Sequence, residues 1–517
     1  MTKLKKKESS TLYDDSVMLE DENQETQKSF MAKLKRFLSF CGPGYMIAVG
    51  YMDPGNWATD IEAGSKYGYS LLYIILISNV MAVILQHLCI RVGVYTRRDL
   101  AQNCRIQCHP YVNWFLYIVA ELAIISCDLS EVIGTAIALN LLFGMPILWG
   151  VLLTVADVLL LLAGFNSDNS SQYKILEFLV MALMSIVGGC FLIQVLLVKP
   201  DWKEVALGFI PRSTQLFTDK DALFSALGII GATVMPHNLY LHSSIVKYRL
   251  PPPLPKFKAD DSDCEDEGGA DEEVASFTER PVEDLKRTEA NESRYWSTLK
   301  SIIRYNTVDT LIALFLALLI NAAILIVSAA AFNARGKTDV KHIEDASELM
   351  KQWLGKGASI LFGLALLAAG QSSTVTGTLA GQIVFEGFLR MRMAPWLRRI
   401  VTRVVAIVPA VLIIYWAGEE SINKLLLYSQ VVLSFQLPFA IVPLIIFAFP
   451  SSKKRQSTET DEPSTVVFSS SDRKERPHIP KEANYGFATR CLEVSSWIIA
   501  AIIISLNIIF PIISLQE

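Results

Sequence analysis

Charge is scarce in this sequence. Of its 517 residues only 19% are Asp, Glu, Lys or Arg, against about 25% in soluble proteins. The 47 basic and 51 acidic side chains nearly cancel, leaving a formal net charge of −4. A balance so close to neutral implies no strongly charged partner, and nucleic acid is excluded as one. Cysteine is sparse and scattered: Cys41, Cys89, Cys104, Cys108, Cys127, Cys190, Cys264 and Cys491 lie in or beside apolar runs. That is the pattern of single buried thiols, not of a disulfide framework. Cys104, Cys108 and His109 are neighbours, but their spacing fits no standard zinc pattern. The lysine-rich start (Lys3, Lys5, Lys6, Lys7) is not followed by the apolar core of a signal peptide. No nucleophile–base pairing or cofactor loop stands out, so neither an enzyme nor a resident cofactor is expected.

Apolar residues, in contrast, make up 52% of the chain, and they are gathered into runs long enough to cross a bilayer. By the criterion of roughly 20 residues per crossing, about eleven spans are predicted. They cover 40–64, 70–94, 112–144, 147–164, 174–198, 222–247, 301–332, 357–388, 397–417, 422–449 and 488–513. The chain is therefore expected to be an all-α, multi-pass integral membrane protein whose partner is the lipid bilayer. Basic residues such as Arg97, Arg98, Arg105, Arg390 and Lys453 fall in alternate loops. That bias puts the N-terminus in the cytoplasm and the C-terminus on the opposite side. The organisation follows as a cytoplasmic tail (1–39), a membrane part (40–247), an acidic loop (248–300), more membrane (301–449), a polar loop (450–485) and a last helix (486–517). Both loops lack the apolar content to fold alone and are expected to be disordered and cytoplasmic.

Two spans carry polar residues and a proline at mid-membrane. The first reads Gly50-Tyr51-Met52-Asp53-Pro54-Gly55-Asn56, the sixth Gly231-Ala232-Thr233-Val234-Met235-Pro236-His237-Asn238. Proline removes a backbone donor and blocks the carbonyl one turn earlier, so each span is predicted to break. A kink alone is tolerated in membranes, but an ionisable residue at the break is costly unless it serves a site. The breaks also open each of two successive sets of spans, the arrangement of a transporter built from inverted repeats. Asp53 offers a carboxylate, Asn56 an amide oxygen, Ala232 a freed carbonyl and Met235 a thioether. Oxygen alone would suit Mg2+ or Ca2+. The sulfur, although methionine is usually core packing, turns the set toward softer divalent transition metals such as Mn2+ and Fe2+.

These two motifs resemble those of the natural resistance-associated macrophage protein (Nramp) family of divalent-metal transporters. The resemblance extends to Gly370-Gln371-Ser372-Ser373-Thr374 and Gly381-Gln382 on the eighth span, and to Ser429-Gln430 and Gln436-Leu437-Pro438-Phe439-Ala440 on the tenth. It implies a LeuT-like fold, two inverted five-helix repeats plus an eleventh helix, and a symporter that moves Mn2+ or Fe2+ with protons. By position it implies Asp53, Asn56, Ala232 and Met235 as metal ligands and Gln430 closing over the ion, with Gln436 second choice there. Gly50, one turn before Asp53, could add its carbonyl.

On the third span Asp128 and Glu131 are three residues apart and share a helix face. Two carboxylates at membrane depth need partners, for which His237, Arg398, Arg399 and Arg403 are candidates. A structural salt bridge is one reading; a proton route, supported by the resemblance, is the other. His87, His242 and Glu386 are further in-span polar groups with no legible role. Rival functions are a magnesium or other divalent-cation transporter of the same family, an Nramp-like signalling protein and an organic-solute symporter. Met235 weighs against the first, the short C-terminal tail against the second, and the fixed Asp53 against the third. A monomer is expected to suffice, in the plasma membrane or an acidic internal one.

Overall fold

The computed structural model describes residues 42–154, 170–211, 219–252, 282–336, 343–391, 394–418, 421–449 and 487–514. Every regular element within them is helical. The first half contains α1 (Pro43–Gly50), α2 (Pro54–Tyr67), α3 (Leu72–Thr96), α4 (Leu100–Gln107), α5 (Pro110–Phe143), α6 (Ser170–Val198) and α7 (Trp202–Gly208). The second contains α8 (Lys220–Val234), α9 (Pro236–Ile245), α10 (Val282–Ala331), α11 (Ile343–Leu354) and α12 (Lys356–Leu389). It closes with α13 (Pro395–Ala417), α14 (Ile422–Ala448) and α15 (Phe487–Ser514).

Among the described residues nine helices are long and apolar enough to cross a membrane, the sixth span counting as one. The first span appears as the short pair α1 and α2. The span expected at 147–164 is helical over 147–154, and the rest lies outside the described residues, as do the tail at 1–39 and the loop at 450–485. One boundary differs from expectation. α10 starts at Val282, inside the segment read as a disordered loop through residue 300. The cause is an apolar stripe hidden in a polar stretch. Leu299 and Ile302, flanked by Tyr295 and Trp296, pack on Ile90 and Val94 of α3 and on Val246, at the spacing of one helix face. Arg97 Nη2 donates to Tyr295 Oη at 2.8 Å and fixes the junction.

α5 runs beside α12 and α14, while α10 lies along α1, α2 and α3, so the broken first span is enclosed by long helices. Trp57 of α2 anchors it, edge-on to Phe191 of α6 and Phe362 of α12 at centroid distances of 4.7 and 5.3 Å. The last helix docks through a proline. Pro438 inside α14 has no N–H to give the Ser434 carbonyl four residues earlier, and Asn507 Nδ2 of α15 donates to that oxygen at 2.8 Å. Asn507→Leu should leave the carbonyl unpaired and cost about 1–3 kcal/mol. The check is the Tm of the purified protein; an unchanged Tm would remove Asn507 from this role.

Candidate metal site between the broken helices

Both breaks follow from proline chemistry. At the first, Pro54 begins α2 and Asp53 is its N-cap, with Oδ1 accepting from the Asn56 backbone N–H at 2.9 Å. The carbonyls left over in the unwound turn are taken by side chains. Asn321 Nδ2 donates to Tyr51 O at 2.8 Å and Trp57 Nε1 to Met52 O at 3.2 Å. At the second, Met235 joins α8 to α9 at φ 33°, ψ 110°. A positive φ on a non-glycine residue stores roughly 1–3 kcal/mol, a strain concentrated at functional sites. Pro54 and Pro236 lack the N–H that the carbonyls of Gly50 and Ala232, four residues earlier, would accept in a continuous helix. Each break thus frees one carbonyl.

Gln430 of α14 links the two breaks. A Cβ on Gly55, next to Pro54, would fall 2.1 Å from Gln430 Nε2, and one on Gly231 of α8 would fall 2.1 Å from Gln430 O. Only glycine lets α14 approach both so closely. Gly50 touches the Asn238 side chain in the same way, and Asn238 Nδ2 lies 3.8 Å from Met235 Sδ. Asp53, Asn56, Ala232, Met235 and Gln430 are all buried. Among the described residues Asn56 Oδ1 and Gln430 Oε1 are buried acceptors with no hydrogen-bond partner, a costly state for an amide oxygen unless a cation uses it. Gln436 is buried too, but it lies about 9 Å further along the α14 axis than Gln430. No group of three or more His, Cys, Asp or Glu is poised to hold a metal among the described residues. The donors here are instead a mixed set of one carboxylate, two amides, freed carbonyls and a thioether.

The third-span carboxylates belong to an adjoining buried ion-pair network. Arg399 of α13 pairs with Asp128 through Nη1 and with Glu131 Oε2 through Nη2 at 2.8 Å. Arg403 Nη2 reaches the same Glu131 oxygen at 3.4 Å and accepts no proton itself, so both arginines act as donors. Thr374 of α12 donates to it at 3.0 Å. Of the candidate partners, Arg399 and Arg403 are therefore joined to Asp128 and Glu131. Arg398 is a correction: it turns to Glu121, with contacts of 2.8 and 3.0 Å. Consecutive helical residues point about 100° apart, so Arg398 and Arg399 cannot serve one cluster. His237 is buried, and its Nδ1 has no hydrogen-bond partner among the described residues.

Several residues were not found from sequence. Ser130 Oγ donates to Asp53 Oδ2 at 2.9 Å, and Cys127 Sγ lies 3.9 Å from that oxygen and 3.8 Å from Glu131 Oε1. These two, one helix turn apart on α5, connect the first break to the ion-pair network. Their only sequence signal was membership of the Asp128–Glu131 face. His242 hydrogen-bonds Gln86 at 2.8 Å, Gln86 donates to Tyr51 Oη at 2.7 Å, and His87 meets Thr307 at 2.9 Å. Cys104 and Cys108 contact each other while His109 stacks on Tyr111, so these three do not converge.

Residues 44–456 match the family described as natural resistance-associated macrophage protein-like (Nramp). The chain is 50% identical over 413 residues to the divalent metal cation transporter MntH of Xanthomonas campestris, covering 80% of this chain and 83% of that one. It is 48% identical over 411 residues to the MntH of Xylella fastidiosa, covering 79% and 77%. A crystal structure of a mutant manganese transporter from Eremococcus coleocola superposes with a TM-score of 0.69 at 33% identity, over 92% of this chain and 86% of that one. Mhp1, a nucleobase-cation-symport-1 transporter captured in a closed conformation, gives 0.51 at 14% identity over 79% and 78%. That last likeness concerns the fold alone, an all-α, LeuT-like architecture with inverted repeats. With four fifths of its length matched at about half identity, and with both helix breaks in place, the chain belongs to the Nramp family.

Proposed function

We propose that this protein is a secondary transporter that imports Mn2+ and Fe2+ by alternating access, coupled to protons moving in the same direction. The observation that carries the reading is the pair of facing helix breaks, which bury Asp53 and Met235 together with amide oxygens of Asn56, Asn238 and Gln430 that have no partner among the described residues. Asp53, Asn56, Gln430, Met235 and the carbonyls of Gly50 and Ala232 hold the ion in this scheme. One carboxylate and several neutral donors bind a divalent ion weakly enough to release it, and the thioether favours transition metals over Ca2+ and Mg2+. Asp53 binds metal when ionised and carries a proton otherwise. Asp128 and Glu131, with Arg399, Arg403 and His237, form the onward proton route. The protein works as a monomer, N-terminus in the cytoplasm and C-terminus outside it, in the plasma membrane or an acidic internal membrane.

The test is Mn2+ influx into proteoliposomes with and without an inward proton gradient, with internal pH read in the same vesicles. Influx that quickens with the gradient and acidifies the lumen is expected; influx without proton movement would refute the coupling. Met235→Ala should erode discrimination against Ca2+ by about tenfold while Mn2+ uptake persists, because calcium gains little from sulfur. Competition uptake with both ions present measures this directly, and an unchanged Ca2+ exclusion would dismiss the thioether as a ligand.

A further inference from the structure

The lipid-facing side of α10 does not end where its apolar residues do. Val308, Leu311, Phe315 and Leu319 are exposed along one helix face, the side that hydrocarbon covers in a bilayer. Toward the start of α10 the same face continues through Arg304, Lys300 and Ser297, all exposed, with the exposed Arg294 at its border. Among the described residues none of the three basic side chains is in a salt bridge. We propose that this basic face docks the headgroup of an anionic phospholipid, and that its occupancy steadies α1, the short half of the broken first span.

Depth and charge both select a lipid. At 1.5 Å per residue Arg304 stands about 6 Å and Lys300 about 12 Å beyond Val308, and headgroups fill roughly the first 5–8 Å outside the hydrocarbon. Arg304 lies within that layer, and the flexible Lys300 side chain reaches its outer edge. The two are one turn apart, where like charges repel unless an anion lies between them. Tyr295 and Trp296, edge to face at 5.3 Å, flank the stripe with the residue types that favour a membrane interface. Arg97 adds a positive charge there, held by neutral acceptors: its Nε and Nη2 donate to Tyr295 Oη at 3.2 and 2.8 Å, and Nη2 also to the Pro251 carbonyl. A free phosphate has no use for the apolar continuation of the face, whereas the acyl chains of a phospholipid lie on Val308, Leu311 and Phe315. Just over one turn past Arg304, Asp309 Oδ2 accepts the Gly44 N–H at 2.8 Å. A Cβ on Gly44 would fall 2.8 Å from the Asp309 backbone. The start of α10 therefore holds the start of α1, and a headgroup that fixes the one steadies the other.

Trp296 can report the occupancy. The full-length protein is reconstituted in phosphatidylcholine vesicles with rising fractions of bromine-labelled phosphatidylserine, which quenches nearby tryptophan. Subtracting the signal of Trp296→Phe isolates Trp296 from the other tryptophans. Saturable quenching is expected, and the double variant Lys300→Gln, Arg304→Gln should raise the half-saturating fraction at least about tenfold. Bromine-labelled phosphatidylcholine should show no saturation, and the Tm of the double variant should match wild type because both side chains are exposed. Mn2+ influx into the same vesicles should rise with phosphatidylserine in wild type, and in the double variant only at the correspondingly higher fractions. Equal lipid responses in both proteins would overturn the proposal, since a negative membrane surface alone gathers cations. Displacement of the quenching by inorganic phosphate would overturn it in favour of a free anion. A difference in influx already present in pure phosphatidylcholine would overturn it in favour of another occupant, such as the acidic run from Asp260 to Glu267 of this chain. Quenching that shifts as expected while influx ignores the lipid would overturn the link to α1.

Discussion

Asp53→Asn should reduce Mn2+ uptake at least about a hundredfold, a loss of roughly 2.7 kcal/mol or more. Asparagine is chosen over alanine because Asp53 does two things. As N-cap of α2 it accepts the Asn56 N–H, and losing a cap costs about 1 kcal/mol of stability. Asparagine caps as well as aspartate, so α2 should stay in register, and Ser130, which loses Oδ2 as acceptor, still has the Cys127 carbonyl at 2.7 Å. What disappears is the one formal negative charge that the donor set offers a divalent ion. Amide and carbonyl oxygens, with a thioether, then face a dication in a site where water is largely excluded, and its desolvation is no longer offset. Radiometric Mn2+ influx and calorimetric Mn2+ binding should fall together while Tm holds. Uptake within about threefold of wild type, less than 1 kcal/mol, would remove Asp53 from the site.

The reach of the sequence was set by what a one-dimensional pattern can carry. A proline and an aspartate in an apolar run are visible anywhere, so both breaks, and Asp53 and Met235 with them, were legible. Family resemblance then supplied Gln430, whose contact with Gly55 and Gly231 no spacing rule would yield. Cys127 and Ser130 were missed because their significance depends on which face of α5 turns toward α2, and their residue types are unremarkable in a membrane helix. The arginines show the same limit in miniature. Arg398 and Arg399 are adjacent in sequence, yet one meets Glu121 and the other Asp128 and Glu131. The early start of α10 was hidden for a different reason. Averaged composition over 248–300 is polar and acidic, whereas the apolar contacts of Tyr295, Trp296 and Leu299 need only one narrow stripe.

Arg399→Leu should be the most damaging single change in the ion-pair network. Arg399 is almost wholly buried and spans Asp128 and Glu131 at once, so its removal leaves Arg403 alone against two buried carboxylates. Breaking a buried pair by removing one partner costs about 3–5 kcal/mol, enough to lower the yield of folded protein severely. Loss of uptake in this variant therefore says nothing yet about protons. The discriminating measurement pairs it with Asp128→Asn, which removes the charge that Arg399 no longer compensates. The double variant should recover about half or more of the lost stability, a coupling of roughly 2 kcal/mol as expected for groups in direct contact. If the network is only a clamp between α5 and α13, proton-coupled Mn2+ influx should return along with Tm. If it conducts protons, Tm recovers while luminal acidification does not, and Mn2+ entry becomes insensitive to the proton gradient. The second outcome is expected, because Glu131 faces the Asp53 side of α5 through Cys127 as well as the arginines. A salt bridge needed for packing alone would have no reason to lie so close to Asp53, the carboxylate of the proposed metal site.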